Sequence, residues 1–343
     1  MPRSVGNLAY NAAQAARVSW FFGQKLLAAR LSRPVPLPDR LKGRPMPDRQ
    51  KILADLWALL QQDWRNIERG LYLPPEDGPS NPLAAFAQAV DFFADLRAVE
   101  ARRHGGRDGR KLSEAPPGRF PSYYLQPFHF QTGGYLSEGS AERYDHQVEV
   151  LFGGGAAAMR RQALVPLRAA LQGRRAARLL DIGCGTGRFL REVKRNHPRL
   201  EVVGLDLSPY YLAVARRELS AWSRVRIVEA AAERLPFAEA QFDAVTAVYL
   251  FHELPPSVRR AVAAEIGRVL KPGGSLVLVD SLQKGDEPLY DAMLDYFPLA
   301  FHEPYYASYV ATDLDRLFEP GLRPAESLPA YFSKIVRYHR DHY

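Results

Sequence analysis

The stretch from Leu179 to Leu190 reads LLDIGCGTGRFL, an acid (Asp181) followed by Gly183, Gly185 and Gly187 in alternation, with apolar residues on both sides. Glycines let a backbone approach a ligand closely, and a glycine turn that leaves a strand and opens a helix suits a nucleotide-like cofactor. A second acid, Asp206, ends the next apolar run, 19 residues after Gly187. Further on, VYLFHELPP offers the imidazole of His252 and the carboxylate of Glu253 for moving a proton or orienting a nucleophile. Two aromatic-rich segments could wall in an acceptor. Residues 127–152 carry His129, Gln131, Tyr135, Tyr144, Asp145 and His146; residues 297–309 carry His302, Glu303, Tyr305, Tyr306 and Tyr309. Adjacent His-Glu pairs point to different sides of a helix or strand and lack the usual paired-ligand spacing, so no metal site is expected.

These groups need elements to hold them. Strand patterns run over 177–183, 201–207, 224–230, 242–250 and 274–281, with helical stretches near 187–196, 209–221 and 257–270. Near-continuous apolar strands alternating with helices predict a buried parallel sheet covered on both faces. The closing AESLPAYFSKIVRYHR predicts a short strand and a longer one. Ahead of the sheet, helices are expected near 8–31, 47–70 and 82–103, separated by proline-rich straps. The expected organisation is a helical N-terminal cap (1–103), a flexible linker (104–122), an aromatic-rich lid and helix (123–175) and an α/β core (176–343).

Composition agrees with a globular chain: 47% of the 343 residues are apolar and 24% charged, with a net charge of +8. Residues 1–51 carry ten Lys or Arg against Asp39 and Asp48, so the remainder is close to neutral. Nothing basic or modular marks a nucleic-acid partner. One cysteine, Cys184, allows no internal disulfide; with no long apolar run and no secretory signal pattern, a cytoplasmic location is expected.

The dinucleotide fingerprint fails, because the position for its third glycine is Arg188. Asp181-x-Gly183-x-Gly185-x-Gly187 resembles motif I of the class I S-adenosylmethionine (SAM) dependent methyltransferases. The resemblance continues in order through VVGLDLSP, AAAERLPFAEAQFDAV and RVLKPGGSLVLVD, covering about residues 177–281. It implies a doubly wound, seven-stranded, mostly parallel sheet of the Rossmann-like methyltransferase kind. It also implies SAM as cofactor, with S-adenosylhomocysteine as product. Asp206 would take both ribose hydroxyls, and Asp181 would face the ammonium of the methionyl end. Leu207, Ala232, Glu233 and Val248 would complete the cofactor wall. Ala231 stands where the family usually has an acid, which leaves backbone groups or Glu233 to meet the adenine amine.

For the acceptor, His252 and Glu253 are the expected catalytic pair, and His129, Tyr135, Tyr144, His302, Tyr305 and Tyr306 the expected substrate-binding residues. FHF and Gln131 before a double glycine suggest a folded cover with a hinge. The aromatic segments favour a lipophilic phenol or quinone-like nucleophile, with a small thiol as the alternative. A non-catalytic SAM-binding sensor or assembly factor is the reading from another class. The first helix presents Val18, Phe22, Leu26 and Ala29 on one face, with Phe21 beside them and Arg17, Lys25 and Arg30 near the edges. Two roles stay open for it: docking on its neighbour helices, or peripheral contact with an anionic membrane surface through residues 8–31.

Overall fold

The computed structural model describes residues 3–76, 81–105, 118–319 and 321–341. Three long helices come first, α1 (Arg3–Leu31), α2 (Arg49–Glu68) and α3 (Pro82–His104), then α4 (Glu138–Leu151), α5 (Ala156–Arg161) and α6 (Leu164–Leu171). The sheet region follows as β1 (Arg178–Ile182), α7 (Arg188–Asn196), β2 (Glu201–Asp206), α8 (Pro209–Glu218), β3 (Val225–Glu229), β4 (Phe242–Val248), α9 (Pro256–Val269) and β5 (Leu270–Ser281). The chain closes with α10 (Asp291–Phe301), α11 (Tyr306–Tyr309), α12 (Leu314–Phe318), β6 (Leu322–Ala330) and β7 (Ser333–Arg340). Helix starts follow side-chain chemistry: Asp48, Asn81, Ser137 and Ser208 each accept a backbone N–H of the first turn.

The seven strands lie in the order β3-β2-β1-β4-β5-β7-β6. β1 to β5 pair in parallel, and β7 runs antiparallel between β5 and β6. The order reverses between β1 and β4, which opens a crevice beyond the carboxyl ends of the strands. The first closing strand is longer than its sequence predicts, with nine residues against eight in β7. It lies at the edge, where Pro324 and Pro329 need no partner for a missing N–H, and the register shifts at Pro324/Glu326. Residues 106–117 of the expected linker lie outside the described residues.

Alternate residues of each strand face opposite sides. Leu180, Val203 and Val245 join one buried cluster with α9 and α12, while Leu179, Val202, Ala244 and Val277 join the other. That second cluster also takes Leu56, Leu59 and Leu60 of α2, together with Tyr72. The N-terminal helices therefore share the sheet's own core. A buried polar knot fastens them: the carboxylate of Asp63 accepts from Tyr10 (2.6 Å), Tyr72 (2.7 Å) and the guanidinium of Arg161 (2.8 and 3.1 Å).

α1 docks by a mixed face. Lys25 donates to the carbonyl of Leu151, Arg17 pairs with Glu149, and Gln24 meets the ring of His146 on α4 at 2.8 Å. Phe21 and Phe92 pack against that ring. Burial pushes the His146 imidazole down to about 4 from 6.5, against the upward pull of Glu149 and Asp91. The unfolded chain therefore binds the extra proton between those two values. Its contribution is fully present above pH 6.5 and is lost as pH falls towards 4. Urea unfolding at pH 7 and pH 5 should show wild type losing about 1–2 kcal/mol more than His146→Gln, which keeps a donor to Gln24. Equal losses would show that His146 does not carry the acid limb.

Candidate active site

The crevice at the sheet's switch point is a cleft of about 730 Å³ counted with its open mouth. Its floor is made by Gly183, Gly185, Leu205, Asp206, Leu207, Ala230, Ala232, Val248 and Leu250. Asp206 ends β2 with its carboxylate fixed by two backbone donors, Gly185 N–H and Ser208 N–H, both at 2.9 Å. Burial raises this carboxyl, and the backbone donors of Ser208, Gly185 and Leu207 work against that rise. Such an acid can accept from a pair of vicinal hydroxyls. Gly183 has φ 71°, and a Cβ there would stand 3.2 Å from Leu250, so the loop and the end of β4 come this close only with glycine.

Other residues of the glycine motif do different work. Asp181 is buried beneath the loop, where it accepts from Thr246 (2.6 Å), and burial raises its carboxyl to about 7. Gly187 caps α7 at φ 80°, and a Cβ there would press on Ala215 and Leu219 of α8. Its role in the structure is helix packing. Cys184 is buried against Gly204. Arg188 pairs with Asp145 of α4 (2.8 Å), which also accepts from Thr186, so α4 is tied to the loop. Glu233 accepts from the hydroxyl of Tyr123 (2.9 Å) beside the cleft.

The roof is aromatic. Tyr124, Phe128, Tyr135, Tyr144 and Tyr211 line the cleft, with Phe128 stacked on Tyr135 at 5.2 Å and Tyr211 edge-on to Tyr135 at 5.4 Å. Residues 128–130 form a tight turn in which His129 and Phe130 have φ of 54° and 56°. Arg102 of α3 holds that turn through the carbonyl of Phe130. Positive φ at two non-glycine residues is a strained backbone that the surroundings must hold.

The polar end lies where β4 and β5 finish. A short turn over Phe251–Glu253 follows β4 and places Glu253 in the cleft wall. Tyr135 donates to Glu253 at 2.5 Å. Behind it, His252 is buried with Nδ1 2.6 Å from Asp280 Oδ1, while Asp280 Oδ2 accepts the backbone N–H of Phe251. Asp280 thereby fixes the imidazole and leaves Nε2 towards Glu253, 3.8 Å away. Burial alone would lower His252, but the charge and hydrogen bond of Asp280 outweigh it, and the imidazole rises to about 9. Burial pushes Glu253 up to about 7 against the pull of His252. At neutral pH this His-Asp pair is a cationic donor buttressed by a carboxylate.

Of the second acceptor segment, Tyr306 and Tyr309 stand edge-on to the His252 ring (5.9 and 6.3 Å), and the Tyr306 hydroxyl bonds Ser281. Tyr305 packs on Phe128, and His302 packs on Phe130. Glu303 comes within 3.1 Å of His129. The two aromatic segments thus meet at one end of the cleft. Sequence reasoning missed Asp280, Tyr124 and Tyr211. An acid at the end of the fifth apolar run, next to the fourth strand in the sheet, was the available signal for Asp280.

Residues 179–274 match a family model described as a methyltransferase domain. The chain carries a methyltransferase domain over these residues. Over 104 residues the chain is 41% identical to the demethylmenaquinone methyltransferase of Deinococcus radiodurans, covering 30% of this chain and 42% of that protein. It is 34% identical over 122 residues to a ubiquinone/menaquinone biosynthesis C-methyltransferase of Desulfotalea psychrophila, covering 36% and 48%. The chain spans less than half the length of either relative. A SAM-dependent methyltransferase structure from Aquifex aeolicus aligns at a TM-score of 0.44 and 16% identity, covering 60% of this chain and 99% of that one. The methyltransferase domain proper, β1 to the start of β5, contains Asp206, Tyr211 and Glu253; the rest of the aromatic roof and Glu303 come from outside the matched residues.

Proposed function

We propose that the protein methylates a small, lipophilic phenol or quinone-like acceptor at oxygen or carbon, with SAM as donor. The observation that carries this reading is one continuous cleft with Asp206 at its floor, an aromatic roof, and Glu253 at its far end backed by the buried His252–Asp280 pair. The residues present fit SAM: an acid with both oxygens fixed by backbone donors suits the ribose, and Leu207, Ala230 and Ala232 give a flat apolar wall for the adenine. The cofactor supplies an electrophilic methyl on a sulfonium, so the protein's task is alignment and exclusion of water. Tyr124, Phe128, Tyr135, Tyr144 and Tyr211 exclude water and stack on a flat acceptor. Glu253, in the cleft wall, orients an acceptor oxygen and takes its proton, and the His252–Asp280 pair behind it holds it in place. The names of the curated relatives support the same acceptor class.

Peripheral membrane contact has its own support. No helix among the described residues is long and apolar enough to cross a membrane. Docking of α1 leaves Trp20, Leu26, Leu27 and Leu31 exposed beside Arg30, and α3 exposes Leu83, Phe86 and Val90. A surface with exposed aromatics and basic groups suits an anionic bilayer.

One experiment tests both. SAM labelled on its methyl group is incubated with the enzyme and a reduced naphthoquinone, presented either in anionic vesicles or as a short-chain form in detergent. Label is expected in the organic extract in both arms. The triple variant Trp20→Ser, Leu27→Ser, Leu31→Ser should lose transfer several-fold only in the vesicle arm. Label in water or headspace with a host extract would instead indicate a small thiol, and no transfer to any fraction would favour a SAM-binding sensor. Equal transfer by the variant in vesicles would remove α1 from a membrane role.

A further inference from the structure

Three side chains from distant segments converge at the inner end of the cleft. His129 comes from the strained turn of the cover, Glu253 from the turn after β4, and Glu303 from just beyond α10. One ligand atom from each lies within 4.8 Å of the others. Glu303 has a side chain with no exposure, and neither of its oxygens has a hydrogen-bond partner. The ring nitrogen Nε2 of His129 stands 3.1 Å from Glu303 Oε1 without making a hydrogen bond to it. Two donor atoms side by side with nothing shared between them is the arrangement of ligands facing a common point.

Charge leads to the same place. A buried carboxylate without a partner costs several kcal/mol unless a cation or a proton joins it. His252, close by, is hydrogen-bonded to Asp280. The guanidinium of Arg259 is spent on the carbonyls of Phe251 and Tyr305 and the hydroxyls of Ser308 and Thr312. Glu303 therefore accepts no hydrogen bond among the described residues, and either a proton or a cation must join it.

We propose that His129, Glu253 and Glu303 bind one divalent transition metal ion, with its remaining coordination positions open to the cleft. One imidazole and two carboxylates suit Mn²⁺, Fe²⁺ or Zn²⁺ better than Ca²⁺ or Mg²⁺, which take oxygen sets. Ligand atoms about 2.1 Å from a shared ion lie at most roughly 4.2 Å apart, so the cluster need contract by less than about 1 Å. Tyr135, which donates to Glu253, and His252 beside it serve to orient that ligand. Because Glu253 lines the cleft, the open positions face the place where an acceptor oxygen lies. That last role rests on the methyl-transfer reading, and Glu253 is then a ligand and not the proton acceptor. Metal binding itself does not depend on that reading.

The test uses the full chain, freed of metal with a chelator, and follows free Mn²⁺ by electron paramagnetic resonance during titration. One Mn²⁺ per chain is expected, displaced by Zn²⁺ and not by equal Mg²⁺. Glu303→Gln and His129→Gln should each weaken Mn²⁺ binding at least tenfold. SAM affinity measured by calorimetry should change less than twofold in Glu303→Gln, because Glu303 is not in the cleft wall; this also reports the fold. Mn²⁺ should raise the Tm of wild type and leave that of Glu303→Gln unmoved. Substoichiometric Mn²⁺ binding, or equal affinity in wild type and both variants, would overturn the proposal. So would a wild type whose Tm ignores every divalent ion while Glu303→Gln is more stable, since Gln mimics a protonated Glu303.

Discussion

Asp206→Ala is expected to abolish measurable SAM binding and to leave the fold standing. Each hydrogen bond from a hydroxyl to a carboxylate contributes about 1.5–3 kcal/mol, so losing a two-pronged grip lowers affinity at least about a hundredfold. The same carboxylate also accepts the N–H groups of Gly185 and Ser208. Its loss therefore loosens the glycine loop as well as the ligand, and the Tm should drop by a few degrees. Those N–H groups border an open cleft and can turn to water, which is why the domain survives. Asp206→Asn separates the two effects, because it keeps an acceptor for the loop and removes the charge. Calorimetry against SAM with circular dichroism as control decides the matter. Unchanged affinity in Asp206→Ala would mean that the carboxylate at the end of β2 does not hold the ribose.

Arg161→Met should destabilise the whole chain by about 3–5 kcal/mol, the cost of leaving a buried carboxylate without its charge partner. Arg161 and Asp63 are 1% and 0% exposed, so solvent cannot take over the role. Tyr10 and Tyr72 still donate to Asp63 in the variant, but hydroxyls do not neutralise it. Adding Asp63→Asn to Arg161→Met keeps an acceptor in place for one of the two tyrosines and removes the stranded charge, and should recover part of the loss. Urea unfolding of the three proteins measures this. Because the knot joins α1, α2 and the end of α5, unfolding should be one transition in wild type, with the N-terminal helices leaving together with the sheet. An independently melting N-terminal region would show that the shared cluster around Leu56, Leu59 and Leu60 does not couple them.

How far the sequence alone reached depends on the range of the interactions involved. The strands from Arg178 to Ser281 were legible because a buried parallel strand must be apolar on both faces, and a helix must punctuate each pair. The glycine loop, Asp206 and the turn carrying His252 and Glu253 were legible for a related reason. Each sits directly at the end of a strand, so local order in the chain equals position at the cleft. Gly187 was legible as part of the motif, but only the fold shows that it also makes room for α7 against α8. The edge strand β6 was underestimated because its two prolines argue against a strand unless one knows it has a free side.

What only the tertiary structure decided are the meetings between segments far apart in the chain. Asp280 reaches His252 because β5 lies beside β4. His129, Glu253 and Glu303 meet although 124 and 50 residues separate them, and no periodicity encodes that distance. Adjacent His-Glu pairs did argue against a metal, since neighbours in a chain diverge; the cluster that formed takes one residue from each of three segments. The N-terminal helices likewise carry no motif, and their fusion to the sheet follows from which faces find apolar and polar partners once the chain has folded. Local patterns specify backbone elements and the groups at their ends. Partnerships between elements are set by packing, which a single sequence records only as unassigned polar and aromatic residues.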